Sequence, residues 1–267
     1  METRYSISVI LPCYNGESFL KECLNSINRQ LCSLELVFVN DGSTDNSFKI
    51  FKDFLFNDNV TVVCINRENK GFLHSLDEAI NLSTGNLIAR IDADDYWFDN
   101  HLVNILERFD IDENLVLIGS QCKFIDANSK ITGKSRFPIN HKDIVKHLHK
   151  DNPFIHSSVV FKKNEYNSTK GYNIGHIESL QHIADYNLWF ELSKLGKCEN
   201  MNLPSVYYRL LDNSMSRSIN KKNNYLTRYQ LMSKVNSYYK KHIFYSMFER
   251  LKVKVRILQH TLYGFRK

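Results

Sequence analysis

Three carboxylates lie within four residues of one another, at Asp92, Asp94 and Asp95, directly after an apolar segment that ends at Ile91. Carboxylates this close repel one another unless a positive charge lies among them, and oxygen ligands suit a hard cation such as Mg²⁺ or Mn²⁺. The alternative is a solvated acidic turn or a helix N-cap, because aspartate favours both. Since the preceding segment has the character of a buried strand, we favour a divalent cation that bridges these carboxylates to substrate phosphates.

Four short apolar runs alternate with three stretches of helical spacing along the first hundred residues. The strands are predicted at 7–11, 35–39, 60–65 and 87–91, and the helices between them at 19–27, 45–56 and 72–82. This alternation predicts an α/β fold whose mostly parallel sheet is built from right-handed βαβ units and flanked by helices. Polar residues follow all four strands, and ligands of such sheets bind at the carboxyl ends of the strands. One polar loop is typical of any βα connection, but four on one edge predict a binding crevice.

Residues 101–150 contain fewer signals than the first hundred. A helix is predicted at 102–109 and a strand at 115–124, followed by a polar hairpin or loop. Three histidines in this stretch do not share one helix face and have no obvious acid or cysteine partner, so we interpret them as solvated surface residues. They are His141, His147 and His149.

Missing motifs exclude several classes of protein. No G-x-G-x-x-G follows the first strand and no G-x-x-x-x-G-K-[ST] occurs, which argues against the usual dinucleotide site and against a P-loop. None of the six cysteines forms a C-x-x-C pair, so we expect reduced thiols, with Cys23 and Cys64 as small core residues. A signal peptide is not expected, and no apolar run reaches the ~18–20 residues that span a bilayer.

The net charge of +6 is divided unevenly along the chain. Residues 217–267 contain thirteen Lys or Arg and one acid, Glu249, which gives +12, whereas residues 1–216 carry −6. Apolar residues at 243–258 recur with helical spacing between basic residues, which predicts a basic amphipathic helix. Such a helix could pack on the body with a solvated basic face, but we favour docking on an anionic membrane surface. Nucleic acid is not expected, because no recognition fold accompanies the basic residues.

Four segments resemble, in order and spacing, the family 2 glycosyltransferases, which are inverting enzymes with the GT-A fold. They are ISVILPCYN at 7–15, VNDGSTD at 39–45, NKG at 69–71 and ARIDADD at 89–95. The resemblance extends over residues 5–217. It implies a Rossmann-like GT-A domain at 1–217, with a nucleotide-sugar-binding half at 1–100 and an acceptor half at 101–217. A basic amphipathic helical tail would follow at 218–267.

The resemblance implies roles for residues of the predicted crevice. Asp94 would ligate the metal, Asp92 would lie beside the ribose and the metal, and Asp41 would accept a hydrogen bond from the base, typically uracil. Asp95 would be a neighbour of this group on the acceptor side. The other residues implied at the nucleotide are Pro12, Tyr14, Asn15, Glu17, Asn69, Lys70, Arg90 and Ala93. A divalent cation suits this chemistry, because a nucleoside diphosphate gains charge as it leaves and the cation offsets that charge.

A helix that begins near Ala184 carries the base that the resemblance implies. Family members usually begin this segment with Glu-Asp, whereas this chain has Ala184 followed by Asp185. Inversion requires one base, which removes the proton of the acceptor hydroxyl while the hydroxyl oxygen attacks the anomeric carbon opposite the diphosphate. The alternative for Asp185 is a helix N-cap. We predict Asp185 as the catalytic base.

Two further residues are implied near the acceptor, His156 and Arg209. A lone histidine is as often a hydrogen-bonded structural residue, so both interpretations of His156 stay open. Family members usually have a histidine two residues after the arginine, where it contacts the metal or the diphosphate, and this chain has Leu211 there. Arg209, Arg217 or a water would then make that contact, and weak metal affinity is expected.

Together these observations predict a cytoplasmic enzyme that is peripheral on the inner face of the cell membrane. It would be a metal-dependent hexosyl- or N-acetylhexosaminyltransferase that moves a sugar from a UDP-sugar to a hydroxyl of a lipid-linked surface glycan. A related sugar-nucleotide transferase is one alternative, but it would carry a glycine-rich basic signature after the first strand. A non-catalytic nucleotide-sugar-binding or scaffold subunit of a polysaccharide assembly complex is another, suggested by Ala184 and Leu211. Retention of Asp92, Asp94 and Asp185 argues against it.

Overall fold

The computed structural model describes residues 4–172, 183–211 and 231–239. The strands in this part of the chain are β1 (Ile7–Cys13), β2 (Leu34–Asp41), β3 (Val60–Arg67), β4 (Leu87–Arg90), β5 (Tyr96–Trp97), β6 (Leu115–Ile125), β7 (Ile131–Lys134), β8 (Val160–Lys162) and β9 (Lys197–Arg209). The helices are α1 (Leu20–Asn28), α2 (Ser47–Lys52), α3 (Phe72–Leu82), α4 (His101–Ile111), α5 (His141–Leu148), α6 (Lys163–Asn167), α7 (Ala184–Leu192) and α8 (231–239).

These strands form one mixed sheet in the order β3-β2-β1-β4-β8-β6-β9-β5, with β7 paired to β6. Strands β1 to β4 are mutually parallel, β8 runs antiparallel to β4 and β6, and β9 runs parallel to β6. The chain leaves β1 toward β2 and β3 and then returns to β4 on the other side of β1. This reversal makes a topological switch point between β1 and β4, where sheets of this kind bind ligands at the carboxyl ends of their strands.

Both faces of the sheet are buried at its central strands, which explains why β1 and β2 are nearly continuous apolar runs in the sequence. In β1, Val9 and Leu11 belong to the core beneath α1, α2 and α4, whereas Ile10 belongs to the core beneath α3, α5, α7 and α8. All three side chains are fully buried. The predicted mostly parallel sheet flanked by helices is therefore confirmed.

Two details of the first hundred residues differ from the expectations. Helix α2 ends at Lys52, so the predicted helix at 45–56 is too long, and Leu55 beyond it is 88% exposed. Cys23 is buried as predicted, but Cys64 is exposed, because β3 is the outermost strand of the sheet and only β2 pairs with it among the described strands. A β-strand pattern does not say whether the strand lies at an edge or in the centre.

The second half contains a helix that the polar sequence concealed. Helix α5 begins after Asn140, whose side-chain oxygen accepts a hydrogen bond from the Asp143 N–H, and it buries Ile144, Val145 and Leu148. The predicted helix at 102–109 and strand at 115–124 correspond to α4 and β6. The interpretation of the three histidines as solvated surface residues is wrong for His149, which is buried.

Only residues 231–239 of the predicted tail are described, and they form α8. Leu231, Val235 and Tyr239 of α8 are buried in the same core as α7. This segment therefore has the packed arrangement that was the alternative to membrane docking. The amphipathic pattern at 243–258 and Arg217 lie outside the described residues. In the part of the chain that is described, no helix has the length and apolar character needed to cross a membrane.

Candidate active site

A cleft of about 630 Å³ opens at the carboxyl ends of β1 and β4, where the strand order reverses. Its walls come from the loops after β1, β2, β3 and β4, from the start of α7 and from the end of β9. The predicted site residues that line it are Pro12, Tyr14, Asn15, Asp41, Asn69, Asp92, Ala93, Asp94, His156, Asp185 and Arg209. Segments as distant in sequence as residues 12 and 209 therefore share one cavity.

The loop after β1 is fastened to the loop after β2. Asn15 adopts a left-handed backbone conformation with φ 52°, which asparagine tolerates better than most residues. Its side-chain oxygen accepts a hydrogen bond from the Thr44 N–H at 2.8 Å, and its own N–H donates to Ser43 Oγ at 3.1 Å. This anchoring leaves the ring of Tyr14 55% exposed at the cleft, where it is available to a ligand.

Asp41 joins the loops after β2 and β3. Its carboxylate forms an ion pair with Arg67 and accepts hydrogen bonds from the N–H groups of Lys70 at 2.8 Å and Gly71 at 3.0 Å. Gly42 has φ 73°, and a Cβ on it would lie 2.5 Å from the Asn69 nitrogen, so only glycine fits this close approach. An ionised carboxylate accepts about four hydrogen bonds, so Asp41 retains capacity for one more donor.

Four predicted site residues are not brought to the cleft lining. The side chain of Lys70 is exposed, and this residue contributes its backbone N–H to Asp41 instead. Glu17 accepts hydrogen bonds from the backbone and side-chain nitrogens of Asn46 at 2.9 Å, and so holds the chain just before α2. Arg90 and Asp95 are buried beneath the cleft, each 1% exposed.

Buried Arg90 supports Asp92 from below. The guanidinium pairs with the Asp92 carboxylate, and the other carboxylate oxygen accepts a hydrogen bond from Ser157 Oγ at 3.0 Å. Burial by itself would raise the pKa of Asp92, but the positive charge of Arg90, together with the Ser157 hydroxyl, holds that pKa below its ordinary value. Asp92 therefore carries its negative charge at neutral pH.

Asp94 lies in the opposite electrostatic situation. Burial, and next the negative charge of Asp92, raise the pKa of the Asp94 carboxyl to about 6. Within the described residues, no other side chain donates a hydrogen bond to this carboxylate. A cation at Asp94 would relieve both the burial penalty and the repulsion from Asp92.

Asp95 does not line the cleft, and its carboxyl group is bonded inside the fold. Its carboxyl group accepts a hydrogen bond from the backbone N–H of Arg209 at 2.7 Å, and it shares the single hydrogen of the Ser157 hydroxyl with Asp92. Burial and the neighbouring carboxylates of Asp94 and Asp92 raise its pKa well above the ordinary value. It thereby ties the end of β9 to the turn after β4, so its predicted place at the substrate is replaced by a role inside the fold.

These residues fit a divalent cation only in a particular way. No group of three His, Cys, Asp or Glu side chains in the described residues is arranged to hold a metal. Asp94 has free carboxylate oxygens, whereas both oxygens of Asp92 already have protein partners. Mg²⁺ commonly binds through one or two carboxylates, with substrate phosphates and water as the remaining ligands. The arrangement suits that mode and does not suit a cage made by the protein alone.

The wall opposite the loop after β1 contains His156 and Tyr172. His156 Nε2 forms a hydrogen bond of 2.9 Å with the Tyr172 hydroxyl, its Nδ1 lies 3.8 Å from the Asp92 carboxylate, and its ring packs edge-on against Trp189. Burial and the positive charge of Arg90 lower the pKa of His156 to about 3, against the attraction of Asp92. His156 is therefore neutral and hydrogen-bonded within the wall.

Asp185 lies in the first turn of α7 and lines the same cleft as Asp94. Its two carboxylate oxygens accept hydrogen bonds from the Asn152 side chain at 2.8 Å and from the Tyr186 N–H at 2.7 Å. Both of these donors are neutral, and they fix the carboxylate in an orientation in which it can accept a proton.

Arg209 lines the cleft with a guanidinium that is largely committed to the protein. Its nitrogens donate to the carbonyl oxygens of Asp94 at 2.9 Å and Asp126 at 3.0 Å, and it pairs with Glu22. The guanidinium carbon also lies 4.3 Å from the centroid of the Phe19 ring. Leu211, two residues further on, lines the cleft with an apolar side chain that cannot ligate a metal.

Several cleft residues gave no usable signal in the sequence. Phe19 and Phe72 come directly after the polar loops and look like ordinary core residues of α1 and α3 in the sequence. Tyr172 lies in a segment without periodicity, and only its contact with His156 reveals it. Tyr208 lies in the last segment of the resemblance, and there the prediction concerned the charged neighbour Arg209.

The comparison with known sequences agrees with this geometry. A family model described as Glycosyl transferase family 2 matches residues 8–180. A glycosyltransferase of Haemophilus influenzae, described as uncharacterized, is 28% identical over 233 residues, which cover 84% of this chain and 71% of that protein. The amylovoran biosynthesis glycosyltransferase AmsE of Erwinia amylovora is 30% identical over 206 residues, which cover 76% and 75% of the two chains. Three other relatives are longer, and the chain spans only 23% to 28% of their length.

Solved structures share the fold. TarS 1-349 of S. aureus in complex with UDP-GlcNAc superposes with a TM-score of 0.70 at 16% identity, over 95% of this chain and 71% of that one. The mannosyltransferase PcManGT from Pyrobaculum calidifontis, in complex with GDP-Man and Mn²⁺, gives a TM-score of 0.59 at 17% identity, over 98% and 70% of the two chains. At such identities the likeness concerns the fold alone, and it confirms the predicted GT-A architecture.

Proposed function

Because the chain belongs to glycosyl transferase family 2 and is a glycosyltransferase, we propose that it transfers a sugar from a UDP-sugar to a hydroxyl of a growing glycan, with inversion at the anomeric carbon. The observation that carries this proposal is that Asp94 and Asp185 line one cleft at the switch point of the sheet. One carboxylate is suited to the leaving group and the other to the attacking hydroxyl, so the two halves of an inverting displacement have separate residues.

The donor would bind between the loops after β1, β2 and β4. Tyr14 and Asp41 offer an exposed ring and a carboxylate with spare capacity, which suit a nucleobase. The similar fold of TarS has been solved in complex with UDP-GlcNAc. We propose that Asp94, with Asp92 beside it, holds a divalent cation against the diphosphate. When bound, such a cation supplies positive charge that stabilises the diphosphate as it leaves.

Asp185 would act as the general base on the acceptor hydroxyl. The proton moves from that hydroxyl to the Asp185 carboxylate while the hydroxyl oxygen bonds to the anomeric carbon. The bond from the anomeric carbon to the diphosphate oxygen breaks on the opposite face, and its electrons stay with UDP. The UDP-GlcNAc bound to TarS and the amylovoran biosynthesis assigned to AmsE support a hexosyl or N-acetylhexosaminyl group and polysaccharide biosynthesis.

The direct test is release of UDP from a panel of UDP-sugars in the presence of Mn²⁺, with membrane extract as a source of acceptor. Asp185→Asn should lower turnover by about 10²- to 10⁴-fold, the range of general base catalysis, and should leave UDP affinity unchanged. Asp53→Asn, an exposed carboxylate at the end of α2, is the matched control and should behave as the wild type. Unchanged turnover in Asp185→Asn would overturn the assignment of the base.

A non-catalytic scaffold is the competing function, and it is suggested by Ala184 and by Leu211, whose apolar side chain lines the cleft. The same assay separates the two functions. Binding of UDP without release from any donor, including GDP-sugars as a control for base selection, would support the scaffold. Release that depends on the divalent cation would exclude it.

We also propose that the acceptor is lipid-linked and that the basic tail meets an anionic membrane surface. The +12 charge of residues 217–267 supports this proposal. Because α8 packs on the body of the protein, the membrane contact would be made by residues of the tail outside α8. The full chain should sediment with vesicles that contain phosphatidylserine and not with vesicles of phosphatidylcholine alone. Replacement of Lys252, Lys254 and Arg256 by Gln should weaken that binding, and equal binding to both vesicles would contradict the proposal.

A further inference from the structure

We propose that Asn152 is the positioning residue for the catalytic base, holding the Asp185 carboxylate in the orientation that accepts the acceptor proton. This inference rests on the proposed function, since it requires Asp185 to be the base. Asn152 does not line the cleft, so it would act only through Asp185. The residue carries no motif and precedes α7 by more than thirty positions in the sequence.

The orientation of the Asn152 amide is determined by its two partners. Its Oδ1 accepts a hydrogen bond from the Phe154 N–H at 3.1 Å, and a backbone N–H can only donate. The amide oxygen must therefore face Phe154, which turns Nδ2 and its hydrogens toward Asp185. Nδ2 lies 2.8 Å from Asp185 Oδ2. Asn152 therefore donates an amide N–H to the Asp185 carboxylate, and its amide has only this one orientation.

Asn152 is itself firmly placed. The carbonyl of the next residue, Pro153, accepts a hydrogen bond at 2.9 Å from the buried side chain of Asn200 in β9. Phe154 is 3% exposed, and its ring packs edge-on against Trp189 of α7 with the centroids 6.0 Å apart. The loop that supplies the amide is therefore packed on the helix that supplies the carboxylate. A shift of one would carry the other with it.

A neutral donor suits a carboxylate that must remain a base. A lysine or arginine at this position would stabilise the ionised form strongly and make it a poor acceptor of protons, whereas a second carboxylate would repel it. The amide holds one oxygen, and the Tyr186 N–H holds the other from within α7. Two fixed donors on different segments restrict the rotation of the carboxylate, and this is the form in which a base is pre-organised.

The test uses Asn152→Asp, which keeps the shape and replaces the donor by a charge. We expect kcat to fall by about 10- to 100-fold, the cost of a misplaced catalytic group, with the KM for the UDP-sugar and the affinity for UDP unchanged. We also expect the acid limb of the pH profile of kcat to move to higher pH, because a like charge raises the pKa of the base. Asn152→Gln, which keeps an amide donor, should recover part of kcat.

Tyr172 and Tyr208 are two titratable side chains whose pKa values are raised by burial and also by the Asp185 charge. Both hydroxyls therefore stay protonated across the range in which the enzyme would be measured. Neither of them produces an acid limb in the pH profile of kcat.

Asn187→Asp is the matched control. It adds the same charge to α7, the helix that carries Asp185, but Asn187 accepts a hydrogen bond from Lys234 at 3.1 Å and does not line the cleft. Its kcat and pH profile should equal those of the wild type. If Asn152→Asp also retained wild-type kcat and acid limb, or lost activity only through unfolding or a raised donor KM, the inference would be overturned. Loss of activity in Asp185→Asn would in that case leave the proposed function standing.

Discussion

The two sides of the cleft are built differently. On the nucleotide side, the polar residues come from loops directly after parallel strands, and these loops are bonded to one another, as Asp41 is to the loop after β3. On the side of the proposed base, Asp185 comes from the start of a helix and is held by Asn152 from a separate loop. That helix is in turn packed against α8, near the end of the chain.

This difference separates the consequences of substitution on the two sides. Asp41 is both a wall of the cleft and the partner of Arg67, whose side chain is only 12% exposed, so its loss should weaken the fold and ligand binding together. Around Asp185, by contrast, the proposed base and the residue that positions it are two different residues. Activity can therefore be lost there while the protein stays folded and binds UDP.

The largest expected effect on folding tests the nucleotide side. Asp41→Ala leaves Arg67 without one of its two acidic partners and leaves two loop N–H groups without an acceptor. Breaking a buried pair from one side costs about 3 kcal/mol or more. We expect a loss of about 3 kcal/mol in the free energy of unfolding, measured in urea, together with weaker binding of UDP.

Asp53→Ala is the control for that experiment, because it removes an exposed acidic side chain from the same half of the protein. Its free energy of unfolding should stay within about 0.5 kcal/mol of the wild type. If Asp41→Ala kept its stability and lost only UDP binding, the claim that structure and binding coincide on this side would fail.

A smaller effect is expected on the helix side. Val235 of α8 is fully buried against the core that contains α7. Val235→Ala removes two methyl groups at about 0.8 kcal/mol each and leaves a small cavity, which together cost about 2 kcal/mol. We expect kcat to fall further than UDP affinity, because the contact supports α7 and not the nucleotide loops.

The other contacts between α8 and α7 make this expectation specific. Tyr239 forms a hydrogen bond of 2.8 Å with Ser193, and Lys234 forms an ion pair of 2.7 Å with Glu191. Ser233→Ala, an exposed position on the same helix, should change neither stability nor kcat. Equal losses of kcat and UDP affinity in Val235→Ala would show that α8 does not act on one side of the cleft alone.

The smallest effect concerns the pH dependence of stability without metal. The pKa of Asp94 is about 6 in the folded protein, whereas the ordinary pKa of an aspartate is 3.8. Between pH 3.8 and pH 6, the folded state therefore binds a proton that the unfolded state has released. The contribution of Asp94 to stability is therefore greatest below pH 4 and is lost as the pH rises through 6. Asparagine does not titrate, so Asp94→Asn does not lose stability in this way as the pH rises. The melting temperature of the variant minus that of the wild type should therefore increase from pH 4 to pH 7.

Mn²⁺ with UDP provides a second readout in the same melting experiment. It should raise the melting temperature of the wild type at pH 7 and have a smaller effect on Asp94→Asn, because the cation would be held there. Asp99→Asn, whose side chain is 62% exposed, should follow the wild type at every pH. A constant offset between Asp94→Asn and the wild type across the pH range would contradict the raised pKa.

The sequence was informative where function follows strand ends. Residues 12–15, Asp41 and residues 92–94 reach the cleft because the carboxyl ends of parallel strands meet at one edge, and this follows from the alternation of strands and helices. The same logic could not tell that Arg90, although next to Asp92, is buried beneath the cleft. Nor could it show that Lys70 has an exposed side chain outside the cleft lining while its N–H binds Asp41.

Helix α5 and the environment of His149 show the other limit. The polar sequence of α5 suggested a loop, and His149 was expected in solvent, yet α8 covers it and Asn236 forms a hydrogen bond of 2.6 Å with its ring. The partner is 87 residues away in the chain. Burial created by so distant a segment leaves no periodic trace in the local sequence.

The amino-acid sequence by itself determined the α/β class, the parallel strands and the edge on which polar groups collect, because these follow from local periodicity. It indicated Asp94 and Asp185 through the resemblance of their segments to the family. Only the tertiary structure decided which of these carboxylates is free and which is committed. Asp92 and Asp95 differ from Asp94 through Arg90 at the end of β4 and through Ser157 and the backbone of Arg209, which approach from distant segments of the chain. Asn152 likewise meets Asp185 only because packing of the loop on α7 brings two distant segments within hydrogen-bond distance.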